Sequence, residues 1–396
     1  MTTEQPHYCE GAVRLQPGGG FFRAESRPSR DYGVLLARLL GTAAPVRMLD
    51  AMAGCGIRGL RCAVEGGLHS LWANDADPDR LPLLEANLAA CPAALERRLS
   101  SHTAQHLLAG CLEQRLRFEL VDLDAFGCPT ALLPLALEAV AIDGVLYLAS
   151  SDGRSPTGHD RPAAVRRFGA AARAHPASWE LALRLQLGAI ARAAWALGRG
   201  IEPLLSFSEG RTFRTAVRLR RHPAAGEEAR LGLLAHCHGC GDQQQQPLLR
   251  LGRWADCACP AGGAGSGGSS GSSGPPPLAV SGPLWLGPLQ HPPTLSALLE
   301  LAGEGGESLA PASRRLLERL RADTGVSARC WPVAEIARRL GHGPPPLAWL
   351  VAQLRAGGWR AEGSGVMAGQ LRSDAPWPLI LATARSWNGE CGGRAC

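Results

Sequence analysis

The stretch between Val46 and Asp75 places the strongest constraint on the fold of this 396-residue chain. An apolar run reaches Asp50 and is followed by a glycine-rich turn, a segment with helical spacing, and a second apolar run that ends in Asn74 and Asp75. Strand, glycine-rich turn, helix and strand in this order form the first half of a nucleotide-binding βαβ unit. The sequence therefore predicts an α/β fold with a Rossmann-like sheet.

The turn itself predicts a cofactor site. Gly54, Gly56 and Gly59 follow the GxGxxG spacing, in which small residues let the backbone approach a ligand at a helix N-terminus. Asp75, at the end of the second strand, is placed to accept hydrogen bonds from ribose hydroxyls. We therefore predict that Asp50, Gly54, Gly56 and Asp75 bind the cofactor; a dinucleotide and S-adenosylmethionine both fit this pattern.

The order of the later segments favours one of these two ligands. Predicted strands and helices alternate as far as residue 222, and the last two strands, 201–207 and 212–221, are close enough in sequence to require an antiparallel hairpin. Such a hairpin is typical of class I methyltransferases, whereas dinucleotide enzymes more often continue into a second βαβαβ half. We predict a methyltransferase domain over residues 1–222 and a C-terminal α+β domain over residues 223–396.

An acidic and aromatic segment, DLDAFG at 122–127, follows the fourth predicted strand, where open α/β sheets bind their ligands. A carboxylate and a backbone carbonyl there can accept the two hydrogens of an amine conjugated to a planar ring, which turns the lone pair toward a methyl donor. The carboxylate can also assist proton loss, and an aromatic ring can stack on the base. We therefore predict that Asp124 and Phe126 are catalytic; the alternative is that Asp122 and Asp124 only cap the strand.

These motifs together resemble the tRNA (guanine-N2)-dimethyltransferases, which use S-adenosylmethionine to methylate guanosine 26 of tRNA. The similar segments are FFRAESRPSRD (21–31), LDAMAGCGIRGLR (49–61), ANDAD (73–77), VDLDAFGCP (121–129) and GPLWLGPL (282–289). They occur in the family's order and span most of the chain. The resemblance implies tRNA as the partner and N2-methyl- and N2,N2-dimethylguanosine as products.

The resemblance also implies roles for single positions. Asp124 corresponds to the catalytic acid, and Phe21 and Phe126 correspond to rings beside the target guanine. The positions that correspond to residues holding S-adenosylmethionine are Arg30, Arg58, Asp75, Thr103 and Ala104. Thr103 and Ala125 depart from the family pattern, which has Asp and Pro there, so the adenine contact and the rigidity of the catalytic loop are expected to differ.

A cysteine cluster predicts a metal site. It consists of a CxxC pair and a CxC pair: Cys237, Cys240, Cys257 and Cys259. Tetrahedral zinc takes four soft or borderline ligands, and a CxxC pair supplies half of such a set. We predict a structural zinc site over 237–259; His236 or His238 as substitute ligands, and a set of reduced surface thiols, are the alternatives.

The segments around this cluster give weaker patterns. Residues 260–279 are rich in Gly, Ser and Pro and are predicted to form a flexible linker. Alternation over 357–373 after two helices predicts a winged-helix-like module, and the tail after Ala382 is expected to be disordered.

In the first half, residues 96–110 show little periodicity, and we expect a short strand or loop near 102–105.

Composition is consistent with a nucleic-acid partner. The 41 basic side chains are all Arg and exceed the 35 acidic ones, for a net charge of +6, which indicates a polyanionic partner only weakly. Nine arginines of the second half are predicted to contact the tRNA backbone, with a solvated surface as the alternative: Arg314, Arg315, Arg319, Arg321, Arg338, Arg339, Arg355, Arg360 and Arg372. No long apolar stretch or signal peptide occurs, so we expect a cytoplasmic protein without a membrane partner, and a monomer is favoured.

Two other functions stay open at the level of the sequence. The GxGxxG turn also suits an NAD-dependent oxidoreductase, and the departures at Thr103 and Ala125 suit a catalytically degenerate RNA-binding protein. The sequence does not distinguish transfer of one methyl group from transfer of two.

Overall fold

The computed structural model describes residues 7–19, 22–257, 259, 278–304 and 309–387. The chain divides into two compact units that alternate along the sequence. The first contains residues 1–153, 189–225 and 290–321, and the second contains residues 154–188, 226–289 and 322–396. The assignment of residues 1–222 to one functional domain stays a prediction.

The first unit begins with a short hairpin and then builds the central sheet. The hairpin strands are β1 (Tyr8–Glu10) and β2 (Val13–Leu15). The elements that follow along the chain, as far as the end of the sheet, are α1 (Arg27–Gly41), β3 (Arg47–Asp50), α2 (Ile57–Gly66), β4 (Ser70–Asn74), α3 (Leu81–Leu88), β5 (Glu96–Ser100), α4 (Ala104–Glu113), β6 (Phe118–Ala125), α5 (Leu133–Ala139), β7 (Val140–Ser150), α6 (Arg161–Phe168), α7 (Ser178–Ala196), β8 (Gly200–Glu209) and β9 (Thr212–Arg220). Of these, α6 and the part of α7 up to Gly188 belong to the second unit.

The central sheet has seven strands in the order β5-β4-β3-β6-β7-β9-β8. The strands from β3 to β7 are parallel, because helices make the crossovers between them. The two residues between β8 and β9 leave room only for an antiparallel turn, and β9 is also antiparallel to β7. The predicted α/β class I methyltransferase sheet, with its terminal hairpin, is confirmed. Met48, Leu120 and Val145 are buried in its centre, as expected for strands covered on both faces.

One prediction for the first unit is wrong in part. Residues 101–103 form a loop, as one of the two alternatives predicts, but α4 already begins at Ala104 with Thr103 as its N-cap, and the strand β5 lies earlier and ends at Ser100. The strand was missed because β5 is the edge of the sheet, where Arg97 and Arg98 are exposed and leave no alternating apolar pattern.

The remaining elements are short. In chain order they are β10 (Leu231–His236), β11 (Gln243–Pro247), β12 (Ala279–Trp285), α8 (Pro292–Glu304), α9 (Pro311–Arg321), β13 (Cys330–Pro332), α10 (Val333–Leu340), α11 (Leu347–Ala356), β14 (Ala361–Gly363), β15 (Gln370–Ser373) and α12 (Trp377–Arg385). Helices α8 and α9 belong to the first unit and the others to the second.

The second unit contains two antiparallel sheets of three strands, in the orders β11-β10-β12 and β13-β15-β14. Two helices, α10 and α11, separate β13 from β14, and a winged-helix role for this part stays a prediction. Helix α12 continues to Arg385, so the expectation of a disordered tail beginning after Ala382 is wrong there. The predicted linker lies outside the described residues as far as 277, and β12 already begins at Ala279.

Arg372 belongs to the core of the second unit. Its side chain is fully buried, donates hydrogen bonds to both carboxylate oxygens of Glu180, and pairs with Asp323 at 2.8 Å. The prediction that Arg372 contacts tRNA is therefore wrong, because a guanidinium enclosed by carboxylates has no access to a phosphate. The other eight arginines of that prediction are exposed or half-buried, and their contact with tRNA stays a prediction.

Within the part of the chain that the structure describes, we find no helix with the length and apolar character required to cross a bilayer.

Candidate active site

A cavity of about 590 Å³ lies at the carboxyl ends of β3, β4 and β6, within the first unit. This is the edge at which open α/β sheets bind their ligands. Seven of the residues predicted from the sequence line the cavity: Arg30, Gly54, Arg58, Asp75, Ala104, Asp124 and Phe126. The fold therefore brings together side chains from segments that are as many as 96 positions apart, since residues 30 and 126 both contribute.

Three other predicted residues, Asp50, Gly56 and Thr103, are not among those that line the cavity. Asp50 is fully buried at the end of β3, and Gly56 is the N-cap of α2 with a φ of 80°. Thr103 caps α4 through its hydroxyl, which accepts a hydrogen bond from the amide of His106 at 3.3 Å. Phe21 lies outside the described residues.

The glycine turn fixes the orientation of Asp75. Gly54 has a φ of 57°, a left-handed conformation that favours glycine, and its amide donates to Oδ2 of Asp75 at 2.8 Å. The amide of Asp77 donates to Oδ1 at 3.0 Å. A carboxylate has about four acceptor positions, so both oxygens of Asp75 can still accept hydrogen bonds from a ligand hydroxyl.

Arg30 lines the cavity and fixes the segment before α1. Its guanidinium is buried and donates to both carboxylate oxygens of Glu10 at 2.7 and 2.6 Å. It also donates to the carbonyls of Arg23 and Ala24, each at 3.0 Å. These bonds tie the segment before α1 to the N-terminal hairpin, so Arg30 positions Arg23 and Phe22, which line the cavity as well.

Asp124 is held by two arginines. Nη2 of Arg214 lies 2.8 Å from its Oδ2, and Nε of Arg58 lies 3.0 Å from the same oxygen. Burial acts to raise the pKa of Asp124, but Arg214 and Arg58 outweigh it and hold the pKa well below its usual range. The carboxylate is therefore ionised at any physiological pH and acts as a hydrogen-bond acceptor.

Two aromatic rings border the same cavity. Phe126 follows β6 and is 73% exposed, which is unusual for a phenylalanine and suits a ring that stacks on a ligand. Phe22 contacts Tyr8 edge-to-face, with 4.8 Å between ring centroids. The sequence predicts a role for Phe21, which lies outside the described residues, whereas Phe22 is the ring of this adjacent pair that lines the cavity in the described structure.

Sequence reasoning missed several polar residues of the cavity: Ser26, Arg80, Ser151, Thr212 and Arg214. A signal for two of them exists at the start of β9, because alternate residues of a strand share a face and Thr212 and Arg214 are two positions apart. Arg214 is 1% exposed, and a buried arginine requires a carboxylate partner. The sequence alone does not reveal which carboxylate that is.

The four cysteines of the predicted metal site come together in the second unit. Their sulfur atoms all lie within 4.8 Å of one another, and Sγ of Cys237 lies 3.6 Å from those of Cys257 and Cys259. Sulfurs at about 2.3 Å from a tetrahedral zinc ion are roughly 3.8 Å apart, so the donor set fits zinc. His236 and His238, the alternative ligands, are not members of this group within the described residues.

A family model and the sequences of known relatives indicate one family, and a solved structure has the same fold. The family model described as N2,N2-dimethylguanosine tRNA methyltransferase matches residues 16–385. The tRNA (guanine(26)-N(2))-dimethyltransferase of Methanosphaerula palustris is 30% identical over 364 residues, which cover 91% of this chain and 90% of the relative. The Schizosaccharomyces pombe relative of the same name is 27% identical, over 86% of this chain and 63% of its own length. Trm1 from Pyrococcus horikoshii, solved with S-adenosyl-L-methionine, has the same fold, with a TM-score of 0.81, 23% identity and coverage of 96% and 99%.

Proposed function

The chain belongs to the N2,N2-dimethylguanosine tRNA methyltransferase family, and from this premise we infer that it transfers methyl groups from S-adenosylmethionine to N2 of guanosine 26 in tRNA. The observation that carries this proposal is the meeting of Asp75, Asp124 and Phe126 in one cavity at the carboxyl edge of the sheet. The products are N2-methyl- and N2,N2-dimethylguanosine, so the enzyme acts in tRNA processing.

The residues around the cavity fit S-adenosylmethionine. The volume of about 590 Å³ lies within the roughly 300–1,000 Å³ of small-molecule sites. Asp75 is oriented to accept the ribose hydroxyls, and the backbone at Gly54 leaves room for close approach. Arg30, Arg58 and Ala104 complete the cofactor wall under this proposal. When bound, the cofactor supplies an electrophilic methyl group on a sulfonium centre.

Asp124, Ala125 and Phe126 act on the guanine. The amine at N2 is a poor nucleophile because its lone pair is delocalised into the ring. Asp124 and the backbone carbonyl of Ala125 accept its two hydrogens, which directs the lone pair toward the methyl carbon. Phe126 stacks on the extruded base and offsets part of the roughly few kcal/mol that extrusion costs. The negative charge of Asp124 stabilises the positive charge that develops on the nitrogen.

The two alternative functions are not favoured. A dinucleotide enzyme would more often continue into a second βαβαβ half, whereas this sheet ends in the β8–β9 hairpin. A degenerate RNA-binding protein has no reason to keep Asp124 ionised and facing the cofactor cavity. Thr103 and Ala125 change an adenine contact and the stiffness of one loop, and neither change removes the acceptor for the amine.

The second unit contributes stability and tRNA contacts in this proposal. A zinc ion held by Cys237, Cys240, Cys257 and Cys259 would have no open coordination position and would therefore be structural. Exposed arginines such as Arg338 and Arg360 bind phosphates in a salt-dependent manner. No disulfide bond joins the described cysteines, as in proteins of reducing compartments, and we expect the protein to act as a monomer in the cytoplasm.

The proposed function is tested with an unmodified tRNA transcript, radiolabelled S-adenosylmethionine and mass spectrometry of the digested nucleosides. We expect N2-methylguanosine first and N2,N2-dimethylguanosine later, and a transcript with adenosine at position 26 should accept no label. A thermal shift with NAD but none with S-adenosylmethionine would favour the oxidoreductase. Tight tRNA binding together with S-adenosylmethionine binding but no transfer would favour the degenerate binder.

A further inference from the structure

Arg214 contacts the proposed catalytic carboxylate, although neither the family resemblance nor the proposed mechanism gives it a role. It lies on β9, on the hairpin side of the sheet, and its side chain is 2% exposed. Its Nη2 donates to Oδ2 of Asp124 at 2.8 Å, and the residue lines the active-site cavity. Removal of an arginine from water to this extent costs free energy, which its contacts must offset.

The two arginines bind only one of the two carboxylate oxygens of Asp124. Arg58 reaches Oδ2 with Nε at 3.0 Å and with Nη2 at 2.9 Å, and Arg214 reaches the same atom. In the described part of the structure, every side-chain hydrogen bond and ion pair of Asp124 ends on Oδ2. Rotation of the carboxylate is therefore restricted, and Oδ1 stays available to a ligand in the cavity.

The guanidinium of Arg214 also lies beside Glu209 and Tyr147. Its Nε lies 3.7 Å from Oε2 of Glu209, and its guanidinium carbon lies 5.4 Å from the centre of the Tyr147 ring. Glu209 in turn accepts the amide of Ser29 at 2.9 Å, and the hydroxyl of Ser29 accepts a hydrogen bond from Arg58 at 3.0 Å. The two arginines are thus positioned by the same framework, one from α2 and the other from β9.

The charges that face Asp124 come from several elements. Arg58 on α2 and Arg214 on β9 favour its ionised form. Four other groups interact with Asp124 or with these two arginines: Asp50 on β3, Asp122 on β6, Tyr147 on β7 and Glu209 on β8. Because carboxylates surround the two cations, loss of either arginine leaves Asp124 in an environment that disfavours its negative charge.

We propose that Arg214 is a positioning residue, which together with Arg58 holds Asp124 as a permanently ionised hydrogen-bond acceptor and not as a general base. This inference rests on the proposed function and assigns the roles within it. As the N2–methyl bond forms, the methyl–sulfur bond breaks and its electron pair stays on sulfur. Oδ1 of Asp124 stabilises the positive charge on N2, and the proton of the methylated amine then leaves to water.

The test compares Arg214→Lys and Arg214→Met by the pH dependence of kcat. Wild-type enzyme should show no loss of kcat between pH 8 and pH 5 from protonation of Asp124. Arg214→Met removes a cation, which raises the pKa of Asp124, so kcat should fall roughly 10- to 100-fold at pH 7.5 and fall further as the pH decreases. Arg214→Lys keeps the charge without the planar donor geometry. It should therefore recover part of the kcat, and its kcat should not fall as the pH decreases.

Binding measurements separate positioning from general damage. The KM for S-adenosylmethionine should change less than threefold in both variants, and calorimetric binding of this cofactor reports whether each variant is folded. Arg218→Met, on the same strand and paired with Glu202 at 3.3 Å, is the matched control and should retain wild-type kinetics. If Arg214→Met does not fold, Arg214→Gln replaces it. The positioning role then requires that kcat of Arg214→Gln falls as the pH decreases and that Arg214→Lys recovers part of the kcat.

Different results would refute the proposed function and the positioning role of Arg214. A wild-type enzyme that transfers no methyl group would refute the proposed function. An active wild-type enzyme whose Arg214 variants keep its kcat, or lose kcat equally at every pH without recovery in Arg214→Lys, would refute the positioning role alone.

Discussion

The amide of Gly54 donates a hydrogen bond to Oδ2 of Asp75 at 2.8 Å, which joins the turn after β3 to the end of β4. The left-handed backbone of Gly54, with a φ of 57°, directs the amide toward the carboxylate. One contact therefore orders two parts of the cofactor wall: the turn that lets the backbone approach a ligand and the acid that accepts its hydroxyls.

Replacement of Asp75 should weaken cofactor binding more than chemistry. Asp75→Ala removes an acceptor for the ribose and leaves the Gly54 amide without its partner, a loss of about 1–3 kcal/mol. We expect the Kd for S-adenosylmethionine, measured by calorimetry, to rise roughly 10- to 100-fold, with kcat at saturation within about threefold of wild type. Asp79→Ala, an exposed acid four positions away, is the control; an unchanged Kd in Asp75→Ala would remove Asp75 from the cofactor site.

Replacement of Asp124 should have the opposite effect. Asp124→Asn keeps the shape of the side chain but loses the charge that stabilises the methylated amine, so kcat should fall by about 10²–10³-fold. Calorimetric binding of S-adenosylmethionine should persist. Asp143→Asn is the control, because Asp143 is exposed and has a φ of 64°, a conformation that asparagine tolerates. Wild-type turnover in Asp124→Asn would contradict the assigned role.

The parts of this site that the sequence predicts are local. Gly54 and Asp75 follow from strand-end positions and glycine spacing, and Asp124 follows from an apolar run that ends in acids. Arg214 could not be found in this way, since it is 90 positions from Asp124 and reaches it only because β9 lies beside β7 in the sheet. Edge strand β5 was missed for a related reason: its exposed residues have no apolar periodicity.

The cysteine cluster should retain one zinc ion per chain. Cys257→Ser and Cys259→Ser each replace a thiolate by a weak ligand, so metal analysis by mass spectrometry should show loss of zinc, and the midpoint of thermal unfolding should fall because bound metal stabilises the folded state. Cys9→Ser, at an exposed cysteine of the first unit, is the control. Stoichiometric zinc in both serine variants would exclude these cysteines as ligands.

Arg372 should be required for the stability of the second unit. Arg372→Met leaves Asp323 buried without its cation and leaves Glu180 paired with Arg184 alone, and breaking a buried pair in this way costs about 3–5 kcal/mol. We expect a lower midpoint of unfolding in urea for Arg372→Met and no change for Arg315→Met, whose side chain is exposed. Equal stability of the two variants would mean that the buried ion cluster contributes nothing net to folding.

Asp50 should make stability depend on pH without contacting the cofactor. It is fully buried, and it pairs in strand register with Asp122. Burial and then the adjacent charge of Asp122 raise the pKa of Asp50 well above its ordinary value, so the folded state binds a proton that the unfolded state releases above about pH 4. The stabilisation that this proton contributes is fully present below the pKa of Asp50 in the unfolded state. It is lost as the pH rises through the pKa of Asp50 in the folded state.

Asp50→Asn removes this dependence. The variant and the wild type should have similar free energies of unfolding near pH 4, and the variant should be more stable by at least about 1 kcal/mol at pH 8. Urea unfolding across this range measures the difference, with Asp79→Asn as the control. Because Asp50 does not line the cavity, the Kd for S-adenosylmethionine should change less than threefold. A pH-independent difference in stability would refute the buried proton, and a large rise in the Kd would restore the direct cofactor contact that the sequence predicts.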